Sequence, residues 1–320
     1  MKKALFIFCS LLLTACFTPV KAQFDAQFSN YWAAPNYFNP AAIGMSDKIN
    51  LTALGRLQWV GVEGAPKTVH VLADLPWNFS GRRHGLGVSM YTDRAGLFST
   101  NVMSGQYSYK TKLWGGELGV GVQVGYVSET FNADSIYIPG ENDYMDPTEA
   151  TSFSGKMTDN TIDAGFGVYY ANKKMYAGLS VTHLVAPRLE LSDKAILEIP
   201  RAYYFLFGYN IQLNNPLLEL QPSFLLKTME PSSFEIENDS IYTKSFDKTL
   251  KAMWTQTQLD VNVRLVYNKM LWLGASWRGA TLARRESAIA MLGIKFKSFE
   301  LGYSFDYPLN AFGGNSWGSH

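Results

Sequence analysis

The chain has 320 residues, of which 47% are hydrophobic, 14% aromatic and 17% charged, and its 28 Lys and Arg nearly balance its 27 Asp and Glu. The apolar and aromatic content excludes a disordered chain, and the balanced charge without a long basic run excludes a nucleic-acid binder. After residue 22 no apolar stretch approaches the ~20 residues of a membrane-spanning helix, so we expect any membrane role to be carried by strands.

Residues 1–22 have the pattern of a secretion signal peptide. Lys2 and Lys3 precede an apolar stretch over residues 4–13, and a small-residue cleavage site ends at Ala22. We therefore expect export from the cytoplasm. Both cysteines, Cys9 and Cys16, lie in this leader, so the mature chain has no thiol for a disulfide or a metal. The residues before Cys16 also fit a lipoprotein box, and an acyl anchor there stays open as an alternative.

Residues 23–48 are rich in Asn, Pro and aromatic side chains and have neither strand nor helix periodicity. A segment of this kind is typical of an irregular loop packed on the rest of the protein. We predict a separate N-terminal segment over 23–48, ahead of one domain that covers residues 49–320.

Alternation of apolar and polar residues dominates that domain and predicts strands. In the clearest window, Leu259 and Val261 alternate with Asp260 and Asn262. About 13 windows have this period, and they cover residues 49–59, 67–74, 85–93, 101–111, 116–129, 160–170, 175–185, 201–213, 217–229, 255–267, 271–278, 288–296 and 300–307.

The connections between these windows are predicted to alternate strictly between short and long. Tight turns are expected at 171–174, 214–216, 268–269 and 297–298, and long excursions at 130–159, 186–200 and 230–254. Short turns at one edge and long loops at the other are typical of a transmembrane barrel, and tryptophans at strand ends fit its aromatic girdle. A soluble sandwich would show the same alternation within strands, but it does not explain the loop parity.

The predicted fold is therefore all-β: a transmembrane antiparallel outer-membrane β-barrel of about 14 strands, of which 13 are readable. Bacterial barrels have an even number of strands so that no edge is open in lipid. By parity, residues 309–320 are expected to be an outer loop, so either the count of 13 is wrong or a fourteenth strand is missing from this sequence.

Several motifs carry a family resemblance. They are the Asn- and Pro-rich run over 23–44, Arg-Leu-Gln-Trp-Val-Gly at 56–61, Gly-Ala-Pro-Lys-Thr at 64–68, and the segments 85–93, 176–181 and 301–308. With these motifs the chain resembles the PorP/SprF family of outer-membrane proteins, which belongs to the type IX secretion and gliding apparatus of Bacteroidota. Members of that family usually continue from Gly-Ser-His into a last strand, whereas here these residues are 318–320.

The resemblance implies a non-enzymatic barrel that supports export or surface anchoring of proteins. The implied partners are a periplasmic ring lipoprotein with its own partner, an outer-membrane translocon, or one secreted adhesin to which the barrel is a dedicated companion, together with outer-membrane lipid. A passive porin or solute transporter stays open as the rival function. A barrel hydrolase has no support, because the sequence lacks G-x-S-x-G, H-E-x-x-H and P-loop motifs.

Two sets of residues are candidates for function. A barrel entered from the periplasm keeps its N-terminus there, so we expect the N-terminal segment and a turn near residues 75–84 to contact periplasmic partners. The predicted contact residues are Phe24, Phe28, Tyr31, Trp32, Tyr37, Phe38, Arg82 and Arg83. If the apolar side chains face lipid, the charged side chains face the lumen. Because these charges are of both signs, an ion-pair network that closes the lumen is favoured, rather than an open channel. The predicted lumen residues are Arg56, Glu117, Asp163, Asp260, Arg264 and Asp306.

No cofactor or metal site is expected. The four histidines, His70, His84, His183 and His320, lack ligand spacing, and the acidic run near 130–159 lacks a calcium-loop pattern.

Overall fold

The computed structural model describes residues 26–132, 155–192, 195–230, 234–236, 257–281, 284–309 and 318–320. The prediction of an all-β antiparallel fold is confirmed. Within these residues, thirteen strands pair in chain order into one continuous antiparallel sheet. They are β1 (Asn50–Leu57), β2 (Lys67–Phe79), β3 (Arg82–Ala95), β4 (Phe98–Leu113), β5 (Gly116–Asn132), β6 (Lys156–Ala171), β7 (Met175–Thr182), β10 (Ala202–Tyr209), β12 (Leu218–Met229), β14 (Gln258–Tyr267), β15 (Leu271–Thr281), β16 (Arg284–Phe296) and β17 (Phe299–Pro308).

Each of the thirteen predicted windows corresponds to one of these strands. β11 (Ile211–Gln212) pairs with β12 and extends β10 past Asn210. The three remaining strands, β8 (Arg188–Ser192), β9 (Ala195–Glu198) and β13 (Phe234–Ile236), form a small antiparallel sheet within two of the expected long loops. The side chains of Leu189 and Ile199 from this region pack on Val127 of β5.

The large sheet is polar inside and apolar outside. On β4, Ser104, Ser108 and Lys110 are buried, whereas Met103 and Tyr107 on the other face are exposed. A water-soluble protein reverses this arrangement, because burial of apolar surface drives its folding. An exposed apolar outer face with a polar interior is the arrangement of a transmembrane barrel, in which the outer face meets lipid. No helix within the described ranges is long and apolar enough to cross a membrane.

Turns at one edge of the sheet are tight. Ser80-Gly81, Trp114-Gly115 and Asn268-Lys269 all have positive φ at both residues, which is the conformation that matches the twist of the flanking strands. We call this the short-turn edge. The expected turn near 75–84 is wrong in extent: β2 continues to Phe79 and β3 begins at Arg82, because the alternating pattern persists through Trp77 and His84.

The opposite edge carries the long connections, but the expected strict parity is wrong at two places. β3 and β4 are joined through Gly96-Leu97, where Gly96 has a φ of 59° and supplies the turn, and only two residues separate β15 from β16. All the long excursions nevertheless leave from this edge, as predicted.

The first and last strands, β1 and β17, do not pair with each other in the part of the chain that is described. Residues 318–320 lie between these two strands, whereas the sequence predicted that residues 309–320 belong to an outer loop. Ser319 exchanges two backbone hydrogen bonds with Asp306 of β17, and His320 exchanges two of 2.8 Å with Leu57 of β1. These residues therefore occupy the position of a strand antiparallel to both neighbours.

The exposed apolar face gives a test of membrane embedding. Val263 on β14 points outward and is 43% exposed. We expect Val263→Arg to destabilise the barrel in lipid by about 2–4 kcal/mol, the cost of a cation near the bilayer midplane, as measured by folding into liposomes over a urea series. Val263→Leu is the matched control and should leave the midpoint unchanged. Equal stability of the two variants would contradict a lipid-facing β14.

Candidate functional site

Residues 26–45 fold back into the interior of the large sheet, and we call them the plug. Tyr31, Ala41 and Ile43 are completely buried there. The plug consists of a short α-helix, α1 (Pro35–Phe38), between two 3-10 turns at Tyr31–Ala33 and Pro40–Ala42. Pro35 and Pro40 start their turns at the position where proline is favoured, since its missing N–H needs no partner there.

Asn39 ties the plug to two strands. Its side-chain oxygen accepts a hydrogen bond of 2.9 Å from Ala41 N and caps the second 3-10 turn. Its amide nitrogen donates to the carbonyl oxygens of Val168 on β6 (3.0 Å) and Leu179 on β7 (3.1 Å). Asn39 is 1% exposed, so one buried side chain satisfies two strand carbonyls and one plug amide.

Inward-facing glycines make room for the plug. A Cβ added at Gly121 of β5 would lie 2.5 Å from Ala41 N, and one at Gly85 of β3 would lie 2.5 Å from Ile43 O. At these positions the plug backbone approaches the strands more closely than any side chain allows. In the sequence, Gly119 and Gly121 have the same pattern as ordinary strand glycines, so alternation alone does not indicate this role.

The plug has few hydrogen bonds of its own, and strand side chains supply partners for its backbone. Lys110 donates to Ala41 O (3.0 Å) and Ser108 to Ile43 O (3.1 Å), while Asp74 accepts from Gly44 N (2.8 Å). Arg83 donates hydrogen bonds to the carbonyl oxygens of Gly44, Met45 and Ser46, at 3.2, 3.0 and 2.7 Å. These contacts fix the end of the plug near the short-turn edge, where β3 begins.

A buried ion network anchors the start of the plug. Arg278 on β15 pairs with Asp260 on β14 (Nε–Oδ2, 3.0 Å) and with Asp306 on β17 (Nη1–Oδ2, 2.9 Å). Arg56 on β1 pairs with the same Asp306 oxygen at 2.9 Å. Ser29 of the plug donates to Asp306 at 2.7 Å and accepts from Arg56 at 2.9 Å. All four charged side chains are at most 7% exposed, and their two positive and two negative charges cancel.

Aromatic contacts complete the seat of the plug. The Trp32 ring meets Trp272 edge to face at 5.0 Å, and the Arg264 guanidinium stacks on the Trp32 ring at 3.4 Å. Tyr31 hydrogen-bonds Ser223 at 3.0 Å. Burial raises the pKa of Tyr31 above its ordinary value, so its hydroxyl stays neutral.

The predicted contact residues fall in two places. Phe28, Tyr31, Trp32, Tyr37 and Phe38 contact strand side chains in the interior, and Phe24 lies outside the described residues. Arg83 turns inward to the plug, whereas Arg82 is exposed on the outer face. Contact of these residues with a periplasmic partner stays a prediction.

All six predicted lumen residues have interior contacts, but they do not form one network. Arg56, Asp260 and Asp306 share the ion network described above. Elsewhere, Glu117 pairs with Arg83 (3.2 Å), Asp163 with His183 (2.8 Å), and Arg264 with Trp32.

Sequence reasoning missed Ser29, Asn39, Lys110 and Arg278. For Arg278 a signal existed, since it has the same inward parity as Ser276 in the window 271–278.

The histidines have no shared environment. His70 lies among the rings of Phe28, Tyr37 and Tyr91, while His84 lies on the outer face with its Nδ1 2.7 Å from the Tyr107 hydroxyl. His320 contacts Tyr303. In the described ranges no three His, Cys, Asp or Glu side chains are grouped for a metal ion. Most of the acidic run near 130–159 lies outside those ranges.

The sheet and its filled interior define a membrane β-barrel with an internal N-terminal plug. Residues 20–320 match the model of the family described as type IX secretion system membrane protein PorP/SprF. The chain belongs to this family, and the resemblance seen in its motifs is confirmed.

Among solved structures, the chain is similar to a Pseudomonas aeruginosa FadL homologue, with 13% identity, 86% of each chain covered and a TM-score of 0.45. It is also similar to the CymD monoaromatic hydrocarbon channel, with 10% identity, 90% of each chain covered and a TM-score of 0.45. No curated protein matches the sequence.

The glycine seat of the plug gives a second test. We expect Gly121→Leu to displace the plug without unfolding the strands, because the new side chain would overlap Ala41. Limited proteolysis should then cut within residues 26–45 while the barrel keeps its folded mobility on unheated gels, and conductance in planar bilayers should rise. Gly55→Leu is the control, since a Cβ at Gly55 meets nothing within 4 Å. A protected plug in Gly121→Leu would contradict this packing.

The ion network gives a third test. We expect Asp306→Asn to cost about 3–5 kcal/mol of unfolding free energy, because it leaves Arg56 without a counter-charge in a buried site. Arg56→Met in the Asp306→Asn background should cost much less than it does alone, since the pair has already been broken. A double-mutant cycle measured by urea unfolding in detergent checks this coupling, and additive losses would contradict it.

Proposed function

We propose that this protein is a non-enzymatic outer-membrane component of the type IX secretion and gliding apparatus. In this proposal it supports export or surface anchoring of proteins and links the outer membrane to the periplasmic ring. Family membership supports a secretion role. The observation that carries the finer proposal is the plug, because a barrel whose interior is filled by its own N-terminal segment acts as a fixed platform more readily than as a conduit.

The proposed orientation places the short-turn edge in the periplasm. Short turns face the periplasm in bacterial barrels, and the C-terminal end of the plug reaches this edge, where Arg83 binds the backbone of residues 44–46. Asp47 and Lys48 are exposed there, directly after the backbone that Arg83 holds. Because the ion pair between Asp47 and Arg83 (2.9 Å) fixes this rim, it offers a periplasmic partner a preformed surface. Residues 46–48 are thus the part of segment 23–48 that we propose for the contact.

Deletion of the gene followed by a comparison of the surface and medium proteomes tests the function. If the protein is a core component, we expect the deletion to remove every protein that carries the C-terminal targeting domain of type IX secretion. Loss of one adhesin alone would make the barrel that adhesin's dedicated companion. Unchanged proteomes with reduced uptake of small solutes would overturn the proposal in favour of a porin.

The rim gives a fourth prediction. We expect the double reversal Asp47→Lys and Lys48→Asp to weaken co-purification of the periplasmic partners while leaving the barrel folded, because the order of exposed charges is inverted at the contact. Glu63→Lys, an exposed change in the β1–β2 connection at the opposite edge, is the control. Equal recovery of partners with both variants would exclude this rim as the contact.

A further inference from the structure

A groove of about 430 Å³ crosses the outer face of the sheet on β2 to β5. This volume falls within the range of about 300–1,000 Å³ that ligand sites occupy. Two adjacent rows of outward positions form the groove. One row pairs Ala73, Val88, Gly105 and Val124 across the four strands, and the next pairs Leu75, Leu86, Tyr107 and Val122.

The groove exists because two positions of the first row carry little or no side chain. Ala73 and Gly105 form its floor, and a Cβ placed at Gly105 would meet nothing within 4 Å. Val88 and Val124 stand on either side of Gly105 as walls and are 62% and 60% exposed. Since this face is the one that meets lipid, the groove opens toward hydrocarbon, and an alkyl chain has the shape and polarity to fill it.

Aromatic side chains lie beside the groove on its short-turn side. The next row pairs Trp77, His84 and Tyr109, and the Tyr107 hydroxyl reaches the His84 ring at 2.7 Å. Tyr and Trp with one polar end mark the interface between hydrocarbon and headgroups. The groove therefore begins immediately below the headgroup level of the leaflet at the short-turn edge.

A free cation lies at the level where a headgroup is expected. Arg82 pairs with Phe79 at the turn, points outward, and makes no ion pair with any residue that the structure describes. It is four residues along β3 from Leu86, which is about 13 Å at the usual rise of a strand. That separation is within the depth of one hydrocarbon leaflet, about 15 Å, so a lipid whose phosphate contacts Arg82 can place an acyl chain beside Leu86. A guanidinium suits a phosphate by charge and by geometry.

We propose that this groove binds one glycerophospholipid from the leaflet at the short-turn edge. One acyl chain lies over Gly105 and Ala73, and the phosphate contacts Arg82. Packing against the walls, together with the charge pair, distinguishes this lipid from those that surround the barrel, since lipid tails gain no hydrophobic advantage from leaving their neighbours. The proposal does not rest on the proposed role in secretion, but it assigns Arg82 to a lipid phosphate instead of a periplasmic partner.

Photocrosslinking in reconstituted bilayers tests the proposal. The full chain is placed in nanodiscs of phosphatidylethanolamine and phosphatidylglycerol with a trace of phosphatidylglycerol that carries a diazirine at mid-chain. We expect crosslinked peptides to concentrate on β2 to β5, around Val88, Tyr107 and Val124. Crosslinks spread evenly over the outward faces of all strands would mean ordinary surrounding lipid and would overturn the proposal.

Two variants sharpen this test. Gly105→Leu fills the groove without a clash and should lower the crosslink yield on β2 to β5 by about tenfold, the equivalent of some ten lost carbon contacts. Ala290→Leu, a small outward residue on β16, is the matched control and should keep the full yield. Unheated gels confirm that both barrels are folded. An unchanged yield in Gly105→Leu would refute the site.

Arg82→Gln tests the headgroup contact separately. We expect it to reduce the crosslinking of the phosphatidylglycerol probe, and raised salt to reduce it further in the wild type than in the variant, because an exposed charge pair is screened. Native mass spectrometry after transfer to detergent should find one retained phospholipid in the wild type and in Ala290→Leu, and none in Gly105→Leu. Retention of a protein in place of a lipid on this face would also refute the proposal.

Discussion

The shared carboxylate of Asp306 is the contact on which the rest of the interior depends. It accepts from Arg56 of the first strand and from Arg278 of β15, and it lies on the last strand of the sheet, so one side chain links the two ends of the sheet. The same carboxylate accepts from Ser29 and thereby fixes the entry of the plug. Buried charges are tolerated only when they are paired and hydrogen-bonded, which explains why these residues cluster.

An inside-out barrel sets a second constraint: its interior must satisfy polar groups that neither lipid nor bulk water reaches. Hydrogen bonds between the plug and the inward side chains of the strands meet this requirement. Its irregular backbone offers carbonyls and amides that have no partner within the segment, and inward strand side chains such as Lys110 and Ser108 supply those partners. Inward glycines then bring the two surfaces close enough for the hydrogen bonds to form. The plug and the wall are therefore complementary, and neither satisfies its polar groups alone.

Periodicity predicted the strands because each strand has one face in lipid and one in a polar interior, so apolar and polar residues alternate along its sequence. It could not place the plug, since an irregular segment has no period and its anchors are distant in sequence, as Ser29 and Asp306 are. Periodicity also could not identify the role of Gly121, because a glycine that makes room for the plug backbone has the same sequence pattern as a glycine in an ordinary strand. β8, β9 and β13 were missed since each is short and pairs only with the others.

The anchoring of the plug bears on the choice between a platform and a pore. Withdrawal of the plug would break the hydrogen bonds that Lys110, Ser108 and Asn39 make between plug and strands, and the loss would be largest where water is excluded. An open state therefore lies well above the plugged state in free energy unless something binds it preferentially, since a ligand shifts such an equilibrium only by its differential affinity. A freely diffusing solute that crosses without binding supplies no such difference. Under the proposed function, a protein bound at residues 46–48 would supply it, because these residues continue directly from the plug, and opening of the barrel would then be coupled to that partner.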